Sequence, residues 1–338
     1  MDLQEARQRK SELASFIGEV LDRRATASRV EPASADSPAA LRAGVSLGLA
    51  PQPDGGFGVA VRYRLGVPTA RMVVRRVTEH VGPGVDVRRT GRISPAAARP
   101  GPRPPVITAQ AVGETGRSRP LRPGVSIAHV HVSAGTLGGF VRVDGVLHAL
   151  SNYHVLVGSP QGITGDVVLQ PGPADGGRDP QDRIGALAGF VALEPGSRAL
   201  VDAALASLEA PEVDLRFPVG AVSTTAVALG GEEVEKIGRT TGITQGRVTA
   251  IELDDVVVGY GPGLGDISLD NQIEVEGTGV GPFSRGGDSG SLVYRRPDGA
   301  ALGLLFAGSE TGGENGTGLT YLNPIDAVLE ALGAELAG

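Results

Sequence analysis

The sequence predicts a mainly β protein. Its 52 glycines and 24 prolines among 338 residues interrupt helical patterns and favour strands joined by turns. Aromatic residues make up only 4% of the chain and tryptophan is absent, so the core must be built mainly from Val, Leu, Ile and Ala. Such a core suits small barrels with tight strand packing. The length allows two domains or one large all-β unit.

The first 24 residues have the pattern of a charged amphipathic helix. Its apolar side consists of Leu13, Phe16, Ile17, Val20 and Leu21. This side predicts either a surface for oligomerisation or a regulatory partner, or a cap packed on the helix's own domain, and both interpretations remain open. Residues 25–38 are small, polar and charged, which is typical of a linker. We therefore assign residues 1–35 to an N-terminal helix and linker.

Residues 36–94 predict a small α+β module. Alternating apolar residues over 45–49 and 58–63 flank a Pro- and Gly-rich turn, which is the pattern of paired strands. Valines at helical spacing predict a helix over 70–81, and residues 85–88 predict a further strand.

Residues 95–124 predict a connection between this module and the rest of the chain. The segment is rich in Pro, Gly and Arg, so we expect it to be extended and exposed. Such a segment is a natural cleavage site, and self-cleavage there is a regulatory hypothesis.

A Gly-Asp-Ser-Gly tetrapeptide, residues 287–290, lies just before an apolar strand pattern. A serine nucleophile needs a base that removes its proton and backbone N–H groups that bind the resulting oxyanion. Glycines before Ser289 allow the loop to turn consecutive amides toward one point. Alone, the tetrapeptide is also compatible with an ordinary acidic turn.

Partners for Ser289 are found elsewhere in the chain. Of the five histidines, His154 lies where an apolar strand ends in small polar residues, whereas the other four fit packing roles on strands or near a helix end: His80, His129, His131 and His148. Asp202 is the sole charge in an apolar run, where a carboxylate needs a partner such as an imidazole that it orients. The order His154, Asp202, Ser289 is that of chymotrypsin-like enzymes.

Three further segments resemble bacterial trypsin-like serine proteases. Residues 234–248 are similar to the Gly-x-Thr-Thr-Gly strand pair of the second barrel, and residues 303–309 to the strand that holds the substrate backbone. Residues 319–329 are similar to the terminal strand and helix of HtrA-like and related domains. The resemblance covers about 125–332. More narrowly, the architecture resembles cytoplasmic trypsin-like proteins that include the plant NARROW LEAF family.

The resemblance implies a protease domain over residues 125–338. Two six-stranded antiparallel β-barrels are expected, the first at about 125–215 and the second at about 216–322, followed by a C-terminal helix over 323–335. The implied activity is hydrolysis of peptide bonds through an acyl-enzyme. The amides of Gly287 and Ser289 would form the oxyanion hole, and Phe306, Ala307 and Gly308 would pair with the substrate.

Two departures from the family pattern bear on this expectation. Nothing in the chain resembles the activation sequence whose freed amino terminus pairs with the aspartate before the serine, so Asp288 must find another partner or none. Phe283 lies six residues before Ser289, at the position that forms the base of the specificity pocket in trypsin-like enzymes. The expected preference is therefore for an apolar or small P1 residue.

The composition of the chain limits the classes of partner that we expect. A net charge of −7 provides no electrostatic reason to expect nucleic acid or an anionic membrane as a partner. The lack of cysteine excludes disulfides and thiolate metal sites, and it fits a reducing cytoplasm, as does the absence of a signal peptide pattern or a membrane-spanning apolar run. Asp175, Asp179 and Asp182 share a polar loop, but their spacing lacks a calcium-ligand pattern. We expect neither a metal nor a cofactor.

Two other functions remain open at this point. The chain could keep the fold and the serine motif as a peptide-binding or scaffold protein without turnover. It could also be an effector protease that is inactive until a partner or a truncation releases it. In each case the expected ligand is a protein or peptide.

Overall fold

The structure is a computed structural model that describes residues 1–28, 44–81, 84–95 and 113–338. Much of the predicted linker and most of the predicted Pro-, Gly- and Arg-rich connection, with its cleavage hypothesis, lie outside the described residues. No helix within these ranges is both long enough and apolar enough to cross a lipid bilayer.

The described residues of the N-terminal part form two helices and four strands. Their bounds are α1 Leu3–Ser28, β1 Val45–Pro51, β2 Phe57–Arg64, α2 Pro68–Val81, β3 Val85–Thr90 and β4 Ile93–Pro95. Strands β1 and β2 form an antiparallel hairpin, and α2 crosses over to β3, which is parallel to β2. The apolar side of α1 packs against this sheet and α2, with Leu13, Ile17 and Leu21 buried. Helix α1 thus packs on its own module, while Phe16 and Val20 of its apolar side stay partly exposed.

The first half of the remaining chain forms an eight-stranded sheet together with the last strand of the protein. The elements are β5 Ser126–His129, β6 Gly135–Thr136, β7 Gly139–Val143, β8 Val146–Ser151, α3 Tyr153–Leu156, β9 Val167–Leu169, β10 Arg183–Phe190, β11 Arg198–Ala199, β12 Ala204–Ser207 and β21 Glu335–Leu336. The sheet order is β21-β7-β8-β12-β10-β9-β5-β6, and β11 lies outside it. This sheet has more strands than the six that the sequence predicted.

The second half forms a closed barrel. The elements of this half of the chain are β13 Glu233–Gly238, β14 Gly242–Asp254, β15 Val256–Gly259, β16 Asp266–Leu269, β17 Gln272–Gly277, β18 Leu292–Arg295, β19 Ala301–Ser309, β20 Leu319–Pro324 and α4 Ile325–Leu332. Strands β13, β18, β19, β20, β17 and β14 follow one another, and β14 pairs back with β13. The predicted mainly β fold with a six-stranded antiparallel barrel is confirmed. Strands β11, β16 and β15 form a small separate sheet.

The N-terminal module and the barrel share one continuous sheet. Strand β1 pairs with β14 on one side and with β2 on the other. An ion pair fastens the same junction, because Arg62 on β2 donates from Nε to Glu274 Oε2 at 2.7 Å and from Nη2 to Oε1 at 2.8 Å. Both side chains are fully buried, and Arg62 also bonds Asp86. The module is therefore held by buried charge as well as by strand pairing.

Removal of the Glu274 charge should destabilise the fold. In Glu274→Gln the buried guanidinium of Arg62 keeps Asp86 as a charged partner but loses the charge of Glu274. This loss should cost about 3 kcal/mol of unfolding free energy. The matched control is Glu79→Gln on α2, because Glu79 pairs with Arg75 at the surface and should contribute less than about 0.5 kcal/mol. Urea unfolding measures both, and equal losses would contradict the role of the buried pair.

Candidate active site

His154 is held by Asp202 across the first sheet. His154 lies in α3, the single helical turn that follows β8, and Asp202 lies just before β12, which pairs with β8. Asp202 is fully buried; its Oδ2 lies 2.5 Å from His154 Nδ1, and its Oδ1 accepts the His154 backbone N–H at 3.2 Å. A carboxylate acceptor favours the tautomer with the proton on Nδ1. Nε2 is then left with a lone pair.

A tyrosine that the sequence analysis missed completes the surroundings of Asp202. The Tyr260 hydroxyl donates to Asp202 Oδ2 at 2.8 Å, and its ring meets the His154 ring edge-on at 5.8 Å between centroids. Burial, together with the nearby charge of Asp202, raises the pKa of Tyr260 well above its ordinary value. The hydroxyl therefore remains a donor. No sequence signal marks Tyr260, because it follows β15 in a glycine-rich segment 58 residues from Asp202.

Ser289 lies at the contact between the two β units. Its carbonyl accepts the N–H of Thr136 at 2.7 Å, and a Cβ added to Gly135 would meet both Val155 and the Ser289 carbonyl. Its Oγ donates to the Phe306 carbonyl at 3.1 Å. His154 Nε2 is buried and has no hydrogen-bond partner among the described residues. The structure thus pairs His154 with Asp202 and places Ser289 beside the segment of His154, with its hydroxyl turned to Phe306.

The two amides predicted for the oxyanion hole are available. The Gly286 carbonyl accepts the Thr240 hydroxyl at 2.7 Å, and in a trans peptide the next N–H, that of Gly287, points the opposite way. Gly287 has φ +102°, and a Cβ there would lie 2.3 Å from the Thr240 hydroxyl, so only glycine fits. Within the described ranges neither Gly287 nor Ser289 donates its N–H to the protein. Both amides therefore lack an acceptor within the described residues.

Asp288 has an internal partner in place of a freed amino terminus. Its carboxylate lies 3.6 Å from Lys236 Nζ, and both side chains are fully buried. It also accepts the backbone N–H groups of Thr240, Thr241 and Arg285 at 2.9, 3.1 and 2.9 Å, and the Thr241 hydroxyl at 2.8 Å. Burial lowers the pKa of Lys236, and the charge of Asp288 opposes that shift. This network holds the serine loop to β13 and to the turn that follows it.

The predicted substrate-binding residues lie in two different environments, a strand and the barrel core. Phe306, Ala307 and Gly308 lie on β19, and the last two pair with β4. The Phe283 ring is buried in the barrel core, with Lys236 Nζ 5.9 Å from its centroid. The sequence analysis expected Phe283 at the base of a specificity pocket. Its ring instead lies in the core, outside the lining of the cavity next to the serine loop.

That cavity has a volume of about 490 Å³. Its lining includes Ser94, Pro95, Ser284, Arg285, Gly308 and Glu310. The Ser284 hydroxyl in this lining bonds that of Thr320 at 2.7 Å. Phe283 is not among the residues that line the cavity.

The acidic loop before β10 binds arginines. Asp175 pairs with Arg239 at 2.6 Å and Asp179 with Arg183 at 2.8 Å. Asp182 pairs with Arg117 at 3.1 Å. In the part of the chain that the structure describes, no three His, Cys, Asp or Glu side chains lie close enough together to hold a metal ion.

Comparisons with known proteins reveal distant structural likeness only. No family model matches the chain, and no curated protein matches it. Similar solved structures include Thermobifida fusca protease A (20% identity, TM-score 0.44, covering 64% of this chain and 98% of that one). Others are a Cellulomonas bogoriensis chymotrypsin (21%, 0.43, 64% and 98%) and Nocardiopsis protease (19%, 0.46, 64% and 99%).

Tyr260→Phe should slow the reaction of Ser289 with a fluorophosphonate by about tenfold, because a hydrogen bond to a buried carboxylate contributes about 1.5–3 kcal/mol. Without the hydroxyl, Asp202 loses one of the groups that fix its position and so holds the His154 ring less firmly. The matched control is Tyr153→Phe, whose hydroxyl bonds the Ser159 carbonyl instead. If both variants reacted at the same rate, Tyr260 would have no positioning role.

Lys236→Met should disorder the serine loop, because Asp288 would remain buried without its cation. The expected loss is about 3 kcal/mol of unfolding free energy, together with slower labelling of Ser289. The double variant Lys236→Met/Asp288→Asn removes both charges and should recover part of the stability. Urea unfolding tests this, and a double variant less stable than the sum of the two single losses would argue against the pairing.

Proposed function

We propose that the chain is a serine endopeptidase that hydrolyses peptide bonds through an acyl-enzyme. The observation that carries the proposal is the His154–Asp202 pair, which leaves a buried Nε2 without a hydrogen-bond partner among the described residues. A buried, unpaired imidazole nitrogen is costly unless another group uses it. The Ser289 hydroxyl and the two free amides of its loop supply the remaining parts of such a site.

The proposed reaction begins when the Ser289 hydroxyl rotates from the Phe306 carbonyl to His154 Nε2. His154 takes the hydroxyl proton as Oγ attacks the peptide carbonyl, and the oxyanion binds the N–H groups of Gly287 and Ser289. The imidazolium, stabilised by Asp202, gives its proton to the leaving amine, and an acyl-enzyme forms. His154 then activates a water that releases the acid and restores the serine.

We propose a small or apolar P1 residue for the cavity next to the serine loop. The Ser284 hydroxyl in its lining is neutral and bonds Thr320. The two charged side chains of the lining, Arg285 and Glu310, are exposed and opposite in sign, so no buried carboxylate is available to bind Lys or Arg. The narrower resemblance to NARROW LEAF-like proteins and the cytoplasmic location remain proposals from the sequence.

A second candidate function is a peptide-binding protein with little turnover. It is favoured by one observation, the bond from Ser289 Oγ to the Phe306 carbonyl in place of His154. A small fluorophosphonate separates the two functions, because it reacts only with an activated serine and does not need the edge of β19.

Ser289→Ala should abolish labelling and reduce peptide hydrolysis by about 10³-fold or more, with little change in unfolding free energy. The control is Ser223→Ala, because Ser223 is exposed and lies outside the site. Ser289 of this variant should be labelled as fast as Ser289 of the wild type. Mass spectrometry locates the label, and peptidase kinetics measure turnover. Hydrolysis that persists unchanged in Ser289→Ala would refute the proposed function.

A further inference from the structure

One edge of strand β19 lies against the Ser289 segment. The opposite edge pairs with β20 from Gly303 to Gly308. On the serine side, β18 pairs with β19 as far as Leu304. Leu305 then donates its N–H to the Ser291 carbonyl at 2.9 Å and accepts the Gly290 N–H at 2.8 Å.

The next position along this edge binds the serine itself, because the Phe306 carbonyl accepts the Ser289 hydroxyl. Immediately beyond it, β4 is paired antiparallel to β19, with Pro95 opposite Ala307 and Ser94 opposite Gly308. A strand has only two edges and β20 covers the other. The chain's own segment therefore occupies the backbone positions next to Ser289.

The register of this pairing is that of an added peptide strand. Pro95 has no N–H, so its pair with Ala307 must be of the type without hydrogen bonds, and the bonds fall on alternate pairs. The Glu310 N–H donates to the Arg92 carbonyl at 3.2 Å, two residues along from Gly308 and Ser94, which agrees with that alternation. Proline is thus accommodated at a position where no backbone donor is needed.

Side chains of β4 add a short apolar anchor. Ile93 is buried in one cluster with Phe306, Ala307 and Leu319. Ser94 and Pro95 form part of the wall of the cavity that Ser284, Arg285 and Gly286 of the serine loop also line. The segment contains neither a charge at 93–95 nor a large polar side chain.

The attachment of β4 keeps its local concentration high. It follows β3 after two residues, and the N–H of Gly91 donates to the Thr311 carbonyl at 3.0 Å. The module that contains β3 is fastened to the barrel by the buried Arg62–Glu274 pair. A tethered segment competes with a free peptide at an effective concentration in the millimolar range or above.

We propose that β4 is a cis-bound peptide that blocks the substrate-binding edge of β19, so that a substrate binds only when β4 leaves. The proposal rests on the proposed function, since it names the regulation of that site. It also names the ligand class: an extended, uncharged peptide with proline opposite Ala307, a small residue opposite Gly308 and a branched apolar residue opposite Ser309.

The test compares Ser94→Pro with Ser94→Ala in the full chain. Proline removes the N–H that pairs with Gly308, whereas alanine keeps it. The substrate is a p-nitroanilide of Ile-Ser-Pro-Ala, the sequence of residues 93–96. Because the apparent rate scales with the fraction of open molecules, kcat/KM of Ser94→Pro should exceed that of Ser94→Ala by about tenfold.

Labelling by a small alkyl fluorophosphonate distinguishes the two ways to fail. If Ser289 is labelled in both variants but their kcat/KM values are equal, β4 does not block the site and the proposed function survives. If Ser289 is labelled in neither variant, the proposed function fails and this inference falls with it.

A second measurement uses the wild type and so does not depend on how Ser94→Pro folds. An Ile-Ser-Pro-Ala peptidyl phosphonate that bonds Ser289 should displace β4, and hydrogen exchange at residues 91–94 should rise. A small alkyl fluorophosphonate should leave that exchange unchanged. Attachment of the peptidyl reagent while residues 91–94 stay protected would overturn the proposal.

Discussion

The serine loop depends on one buried carboxylate, that of Asp288. A carboxylate without water needs several donors, and Asp288 obtains them from three backbone amides and the Thr241 hydroxyl, with the Lys236 ammonium 3.6 Å away as its counter-charge. Because these groups belong to β13, the turn after it and the start of the serine loop itself, compensation of the charge fixes where the loop lies against the barrel. The position of Ser289, the direction of the Gly287 amide and the edge of β19 beside them all follow from that placement.

Asp202 and Asp288 are both fully buried carboxylates, and different partners compensate their loss of hydration. Asp202 faces an imidazole, a tyrosine hydroxyl and the His154 amide, which can accommodate a positive charge that appears during a reaction. Asp288 instead faces the Lys236 ammonium and backbone amides, which suit a charge that never changes. In the proposed reaction Asp202 supports the chemistry of His154, whereas Asp288 supports the structure of the serine loop.

The N-terminal module is joined to the barrel in a way that links it to the site. Strand β1 extends the sheet through β14, Arg62 bonds Glu274 within it, and β4 emerges from the same module onto β19. The module thus places a peptide segment at the edge where we propose that substrates bind.

The residues themselves determined the mainly β fold, the glycine-framed serine and the choice of His154 and Asp202, because glycine positions and a lone charge in an apolar run are local properties. Only the tertiary structure decided that Lys236 replaces an amino terminus, that Tyr260 joins Asp202 and that Phe283 points into the core. It also decided that Pro95 lies opposite Ala307. In a β protein, partners tens to hundreds of residues apart meet through strand register, and neither period nor composition specifies which strands become neighbours.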